Sequence, residues 1–224
     1  PAGAMAVGRV AAEVGLTRGQ AARLAGISCG MGPVYVVSAL GVALIVALIL
    51  TPVVKSLAQK VGAVDVPKDN RRMHNHPIPR MGGLAIFLGF LLSTLIFVPM
   101  SSSMRGMLLG GVIIVILGIF DDIYALPALP KLLVQIAAAL VAVLHGNVIQ
   151  VLSNPNIFSE NPYWTLGSLA VPLSVIWIVA ITNAVNLIDG LDGLAVGVSA
   201  ISAATLLVIA LLVAESNIAI VVAA

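Results

Sequence analysis

Six stretches of this sequence run for about 20 residues with almost no charge, and that recurrence restricts the fold more than any other feature. A bilayer core is about 30 Å thick and a helix rises about 1.5 Å per residue, so each stretch matches one membrane crossing. Spans are expected at 33–54, 82–100, 104–120, 131–149, 168–188 and 194–214, each bounded by Gly, Pro or charged residues. The fourth has a short apolar centre, Leu132 to Leu144, and needs the residues around His145 and Asn147 to cross. A seventh run starts at Ile218 and stops at Ala224, which gives the expectation of a fragment ending inside a helix. Barrel strands fit less well, because they alternate apolar and polar residues whereas these runs are apolar all round.

Composition agrees. The chain is 60% hydrophobic and 9% charged with a mean hydropathy of +1.14, against about 25% charged residues in a soluble domain. The expected class is all-α: a polytopic integral membrane helix bundle of about six transmembrane helices plus the start of a seventh. Residues 33–224 are expected to form the membrane domain, truncated at its C-terminal end. Residues 1–32 form a tail with Arg9, Arg18 and Arg23, and an expression remnant, an upstream extension, a poorly ordered tail or an amphipathic surface helix all fit it. The single Cys29 excludes an internal disulfide. The net charge of +2 does not point to nucleic acid, since most cations lie between the apolar runs.

Loops that follow odd-numbered spans must share one side of the membrane. Those loops, 55–81, 121–130 and 189–193, hold Asp65, Asp69, Asp121, Asp122, Asp189 and Asp192, all six aspartates of the chain. The same face carries Lys55, Lys60, Lys68, Arg71, Arg72, Arg80 and Lys131, so the positive-inside rule places it in the cytoplasm and the N-terminus outside. The three tail arginines oppose this assignment and narrow the bias to seven against four. The 146–167 loop, with Asn154-Pro155 and Asn161-Pro162 turn signals, faces outward in this scheme and is expected to form a small hairpin.

Three motifs sit on the acidic face. Asp121 and Asp122 close the third span, where the negative end of the helix dipole makes two carboxylates unfavourable by about 0.3–1 kcal/mol each unless something compensates. A divalent cation is one compensation, and Mg²⁺ takes one or two carboxylates together with water and phosphate oxygens. A solvated acidic pair is the other reading. The second motif runs from Thr182 to Leu194, where Asn183, Asn186 and Asp189 form a slanting polar stripe, since steps of three shift by about 60° around a helix. Gly190 and Gly193 then let the chain turn around Asp192. Two amides and two carboxylates are costly in lipid and should face a polar cavity; the plainer reading is an Asn-lined helix contact followed by a turn. The third is the basic loop Val64 to Gly83, containing Arg71, Arg72, His74, His76 and Arg80, with Pro77 and Pro79 holding extended backbone. Such a loop can grip phosphate oxygens, or can simply retain the segment in the cytoplasm beside anionic lipid heads.

Read together, the basic loop, the run Leu117 to Asp122 with Lys131 and Gln135 after it, and Asn183 to Leu194 resemble the polyprenyl-phosphate N-acetylhexosamine-1-phosphate transferases of bacterial envelope glycan synthesis, over residues 34–214. The wording of Asp65-Val66-Pro67 and of His74 to Gly83 looks closer to the branch using UDP-N-acetylglucosamine than to the UDP-MurNAc-pentapeptide branch. The resemblance implies transfer of a sugar-1-phosphate from a UDP-N-acetylhexosamine to undecaprenyl phosphate in the bacterial plasma membrane. UMP is released, Mg²⁺ is required with Mn²⁺ as an alternative, and a homodimer is allowed. It also implies roles. Asp121 would activate the lipid phosphate, as base or as nucleophile, and Asp122 would organise the site or the metal. Asn186 would bind metal or diphosphate. Asn183, Asp189 and Asp192 would position the nucleotide, and Lys131, Arg71, Arg72, His74 and Arg80 would neutralise phosphate charge. Relatives carry a Gly-Asp metal motif and a His-containing loop further downstream than this sequence reaches, so little transferase activity is expected of these 224 residues alone. A transporter or channel lined by Asp and Asn, and a non-catalytic assembly partner, are the competing classes.

Overall fold

The computed structural model describes residues 32–65, 78–155, 163–190, 193–212 and 221–223. In chain order it contains α1 (Gly32–Val61), a short ladder of β1 (Val64–Asp65) and β2 (Ile78–Pro79), α2 (Gly82–Phe97), α3 (Ser102–Tyr124) and α4 (Ala128–Leu144). There follow β3 (Val151–Ser153), β4 (Tyr163–Thr165), a 3-10 turn (Gly167–Leu169), α5 (Ala170–Ile188) and α6 (Leu194–Leu212). The architecture is the expected all-α membrane bundle. Four helices, Val34–Val61, Ser102–Tyr124, Gly167–Ile188 and Leu194–Leu211, are long and apolar enough to cross a bilayer. Large aliphatic side chains such as Leu48, Ile176 and Ile201 stand outward on them, as a lipid-facing surface requires.

The boundaries differ from expectation where polar groups intervene. Helix α1 continues past Pro52 to Val61, which puts Lys55 and Lys60 on its final turns instead of in a loop. Helix α4 stops at Leu144, short of the expected 149, and with 17 residues it is a shorter apolar helix, as is the 16-residue α2. The stop has a physical cause: Gly146 turns the chain with φ 108°, and the Asn147 amide donates to the carbonyls of Ala142 (3.0 Å) and Ser103 (2.9 Å). Helix α3 starts two residues early because the Ser101 hydroxyl accepts the Met104 N–H (3.2 Å) as an N-cap.

The chain divides into two compact units. In the unit holding residues up to 46, 89–98 and from 198 onward, the Ser93 hydroxyl donates to the Ala39 carbonyl (2.8 Å), and Tyr35 meets Phe97 edge to face. Thr94 is buried there, and its hydroxyl has no hydrogen-bond partner.

The other unit, residues 47–88 and 99–197, carries the acidic motifs. Here α3 packs on α4 and α4 on α5. Close approach of α3 and α4 depends on glycine: a Cβ at Gly106 would overlap His145 Cβ, and one at Gly110 would stand 3.0 Å from the Ala138 carbonyl oxygen. The Gly106–Gly110 spacing against Ala138 and Ala142 is the small-residue contact by which membrane helices gain packing without a hydrophobic drive. A separate apolar cluster of Val54, Ala58, Ala63, Met81 and Ala85, with Ile119 and Ile123 against it, joins the end of α1 to the start of α2 and the last turns of α3. The expected hairpin is present, Val151 opposite Thr165 and Ser153 opposite Tyr163, and its tip lies outside the described residues. The Ser174 hydroxyl ties it to α5 by accepting the Ile149 N–H (2.8 Å).

Candidate active site

Asp121 and Asp122 occupy the last turn of α3. Asp121 Oδ1 meets Lys131 Nζ at 2.6 Å and accepts the Leu126 N–H at 2.9 Å. Asp122 Oδ2 accepts the Met81 N–H at 3.1 Å. The carboxylates at the C-terminal end of α3 and the lysine at the close of the first turn of α4 each oppose their own helix dipole. Paired, they offset one another, so the unfavourable acidic end inferred from sequence is compensated by the chain itself through one ammonium and two backbone N–H groups.

Both N–H donors come from strained backbone. Met81 (φ 64°) and Ala125 (φ 48°) are the non-glycine residues with left-handed backbone among the described residues. Met81 is itself the donor to Asp122, and Ala125 immediately precedes the donor to Asp121. Each such residue costs about 1–2 kcal/mol, and it persists only where surrounding contacts impose it. At Met81 those contacts are visible, since its side chain is buried in the Val54–Ala85 cluster and its carbonyl accepts the Leu84 N–H (3.0 Å).

The basic loop is pinned at both ends. Val64 pairs with Pro79 and Asp65 with Ile78, and the Arg80 N–H donates to the Ala63 carbonyl (2.9 Å). Arg80 is thereby delivered to the acidic pair, and the charges felt by Asp122 are those of Arg80, Asp121 and Asp189. Asp189 caps the C-terminal end of α5, exposed like Asn186 one turn earlier, and its N–H donates to the Asn186 carbonyl (3.3 Å). Asp189, at the end of α5, is thus near enough for its charge to act on Asp122 at the end of α3.

Asn183 is placed differently from Asn186. Its amide donates to Gln135 Oε1 (2.7 Å) and to the Val179 carbonyl (2.8 Å), and Gln135 Nε2 donates back to Asn183 Oδ1 (3.4 Å). Arg71, Arg72, His74 and Asp192 lie outside the described residues. Three participants carried no assigned role in the sequence reading: the N–H groups of Met81 and Leu126, which have no side-chain signature, and Gln135, whose place four residues after Lys131 puts it on the same face of α4. Beside the acidic turn opens an apolar groove of about 340 Å³ lined by Ile113, Ile116, Leu117, Phe120, Leu126 and Val134.

Among the described residues no three His, Cys, Asp or Glu side chains close on one point as a protein-only metal cage. Carboxylate and amide oxygens such as those of Asp122 and Asn186 are the donor types that suit the other arrangement, a hard cation held by one or two protein oxygens with water and phosphate oxygens completing the shell.

Comparisons with known proteins identify the family. The profile described as glycosyl transferase family 4 matches residues 104–224. Over 179 residues the chain is 45% identical to the probable undecaprenyl-phosphate N-acetylglucosaminyl 1-phosphate transferase of Bacillus subtilis (strain 168), covering 80% of this chain and 49% of that protein. The chain belongs to glycosyl transferase family 4. Other members are alike at lower identity. The decaprenyl-phosphate N-acetylglucosaminephosphotransferase of Mycobacterium tuberculosis (strain ATCC 25618 / H37Rv) is 38% identical over 72% of this chain and 42% of its own length. The phospho-N-acetylmuramoyl-pentapeptide-transferase of Desulfotalea psychrophila (strain LSv54 / DSM 12343) is 38% identical over 60% of this chain and 41% of its own. The chain spans about half the length, or somewhat less, of these curated relatives. The family resemblance carried by Asp121-Asp122 and Asn183 to Leu194 is thus borne out, and the matched segment includes both motifs.

Proposed function

We propose that the protein to which this chain belongs transfers N-acetylglucosamine-1-phosphate from its UDP-sugar to undecaprenyl phosphate, releasing UMP, at the cytoplasmic face of the bacterial plasma membrane. The observation that carries the reading is the acidic pair Asp121-Asp122 at the end of a membrane helix, held by Lys131 and by the N–H groups of Leu126 and Met81, with the charges of Arg80 and Asp189 acting on Asp122. Its height at a helix end suits a lipid phosphate, whose head lies at the membrane surface, and the adjoining apolar groove suits a prenyl chain.

In the reaction an oxygen of the acceptor phosphate bonds to the sugar-bearing phosphorus of the nucleotide. The bond from that phosphorus to the bridging oxygen breaks, and UMP leaves with the electron pair. Both reactants are anions, so the principal task is screening and orientation. Lys131 holds Asp121 in one rotamer and is near enough to shift onto an incoming phosphate. Asp121 takes the acceptor's proton or directs its oxygen. Arg80, with Arg71, Arg72 and His74 of the same loop, neutralises the diphosphate, while Asp189 and Asp192 position the nucleotide and Asn183, its amide taken up by Gln135 and Val179, supports them from the helix contact. A magnesium ion held by Asp122 and Asn186 would supply further screening of the phosphate charges, with manganese as a substitute.

The 38% identity to a phospho-N-acetylmuramoyl-pentapeptide-transferase favours a second reading, with UDP-MurNAc-pentapeptide as donor. Its overlap with this chain is shorter, 60% against 80%, so the N-acetylglucosamine donor is preferred. The test is UMP release by the purified product of the full reading frame, given undecaprenyl phosphate, Mg²⁺ and each donor in turn. UMP from UDP-N-acetylglucosamine that disappears with chelator is expected. Turnover of the pentapeptide donor alone would establish the second reading, and ion flux without UMP would reject both.

A further inference from the structure

We infer that Gln135 is a positioning residue: its reciprocal amide pair with Asn183 fixes the rotation and depth of α5 against α4, and so sets the level of Asn186 and Asp189 on α5 relative to Lys131 on α4. The inference rests on the transferase reading above. Gln135 is 9% exposed, one of four buried polar side chains among the described residues. Ser93 and Ser174, two of the others, hydrogen-bond to backbone, and the Thr94 hydroxyl has no partner. Gln135 is the one that pairs with a side chain of another helix, donating and accepting in the same contact.

A single hydrogen bond between membrane helices contributes little stability on average, and an apolar pair would pack there without the cost of burying two amides. What an amide pair adds is register. A slide of α5 by one residue relative to α4 moves its side chains by about 1.5 Å along the axis and about 100° around it, which two opposed donor–acceptor contacts do not tolerate. The placement makes that register matter. Gln135 follows Lys131 by four residues on one face of α4, and Asn183 precedes Asn186 by three and Asp189 by six on α5. The clip lies one turn from Lys131 on α4 and, on α5, one turn from Asn186 and nearly two from Asp189, and Asn183 is further fixed by its own bond to Val179.

The experiment uses the full reading-frame product in detergent with undecaprenyl phosphate, UDP-N-acetylglucosamine and Mg²⁺, comparing wild type, Gln135→Leu, Asn183→Leu, the double variant, and the exchange Gln135→Asn with Asn183→Gln. Gln135→Leu is expected to lose roughly 10- to 100-fold in kcat/KM, the scale of a misplaced reacting group. Its melting temperature should stay within about 5 °C of wild type, since one such bond contributes little stability. The double variant should be no worse than Asn183→Leu, because Gln135 acts through Asn183, and the exchange should recover at least a third of wild-type activity. A Gln135→Leu enzyme that stays within threefold of an active wild type would overturn the inference and leave the transferase reading standing. If that variant does not fold, the exchange decides: folded and active supports the clip, folded and inactive rejects it. A wild type that releases no UMP defeats the transferase reading, and this inference with it.

Discussion

Where α3 begins, it meets α4 through Gly106 and Gly110, with a Cβ at Gly106 excluded by His145 and the Ala142 carbonyl oxygen only 3.2 Å from where that atom would stand. Where α3 ends, the same two helices meet through Asp121 and Lys131, and Gly118 has nothing within 4 Å of the Cβ it lacks. The first end is closed by van der Waals contact and by the Asn147 amide, which bridges the Ser103 and Ala142 carbonyls. The second is held open by charges, by two backbone N–H groups and by two left-handed residues, Met81 and Ala125. Membrane helices gain most by packing backbone to backbone, and the end that forgoes this and stores strain instead is the one to which the proposal assigns ligands. The tight end supplies the rigidity that keeps the open end in one arrangement.

The largest expected break in that contrast is chemical. Asp121→Asn keeps the side-chain shape and its acceptance of the Leu126 N–H but removes the charge, and kcat for UMP release should fall about 10²- to 10⁴-fold, the usual range for a group that moves a proton. Thermal stability should change little by comparison, because the pair with Lys131 is about a third exposed.

Next come the glycines. Gly106→Ala should destabilise the protein by about 1–3 kcal/mol in a detergent melt, as overpacking does. Gly118→Ala, on the same helix at the open end, should be neutral or stabilising by up to about 1 kcal/mol, since alanine is the better helix former. Equal losses at both positions would erase the distinction between the two ends.

The smallest effect concerns strain. Ala125→Gly relieves the left-handed backbone before Leu126 and should raise stability by up to about 1 kcal/mol after glycine's own entropy is counted. A loss of stability would mean that the turn is not strained.

Much of this contrast was legible in the sequence, and the reasons differ by residue. The six helices follow from the apolar runs, four of them long enough to cross a bilayer, and the placing of Asp121, Asp122 and Asp189 at helix ends follows from where those runs stop. Helix ends were less legible, because the stop of α4 at Leu144 depends on where the Asn147 amide finds the Ser103 carbonyl, a tertiary event. The Gly106–Gly110 spacing was a readable signal for the α3–α4 contact that the polar motifs overshadowed. Met81 could not be found from its side chain, since it serves Asp122 through its N–H. Asn183 shows both readings of its motif in one stripe: it makes the interhelical contact, while Asn186 and Asp189 remain exposed at the helix end.

The central claim is that oxygens from α3 and from the end of α5 serve one metal and its phosphate ligands. Its most direct test is Mn²⁺ binding to the full reading-frame product in the presence of UDP-N-acetylglucosamine, followed by the EPR signal of free Mn²⁺, for wild type, Asp122→Asn and Asn186→Ala. The account predicts a single site in wild type whose affinity falls at least about tenfold in each variant, in line with the loss of a ligand or its support. Two variants that bind Mn²⁺ as tightly as wild type would contradict it.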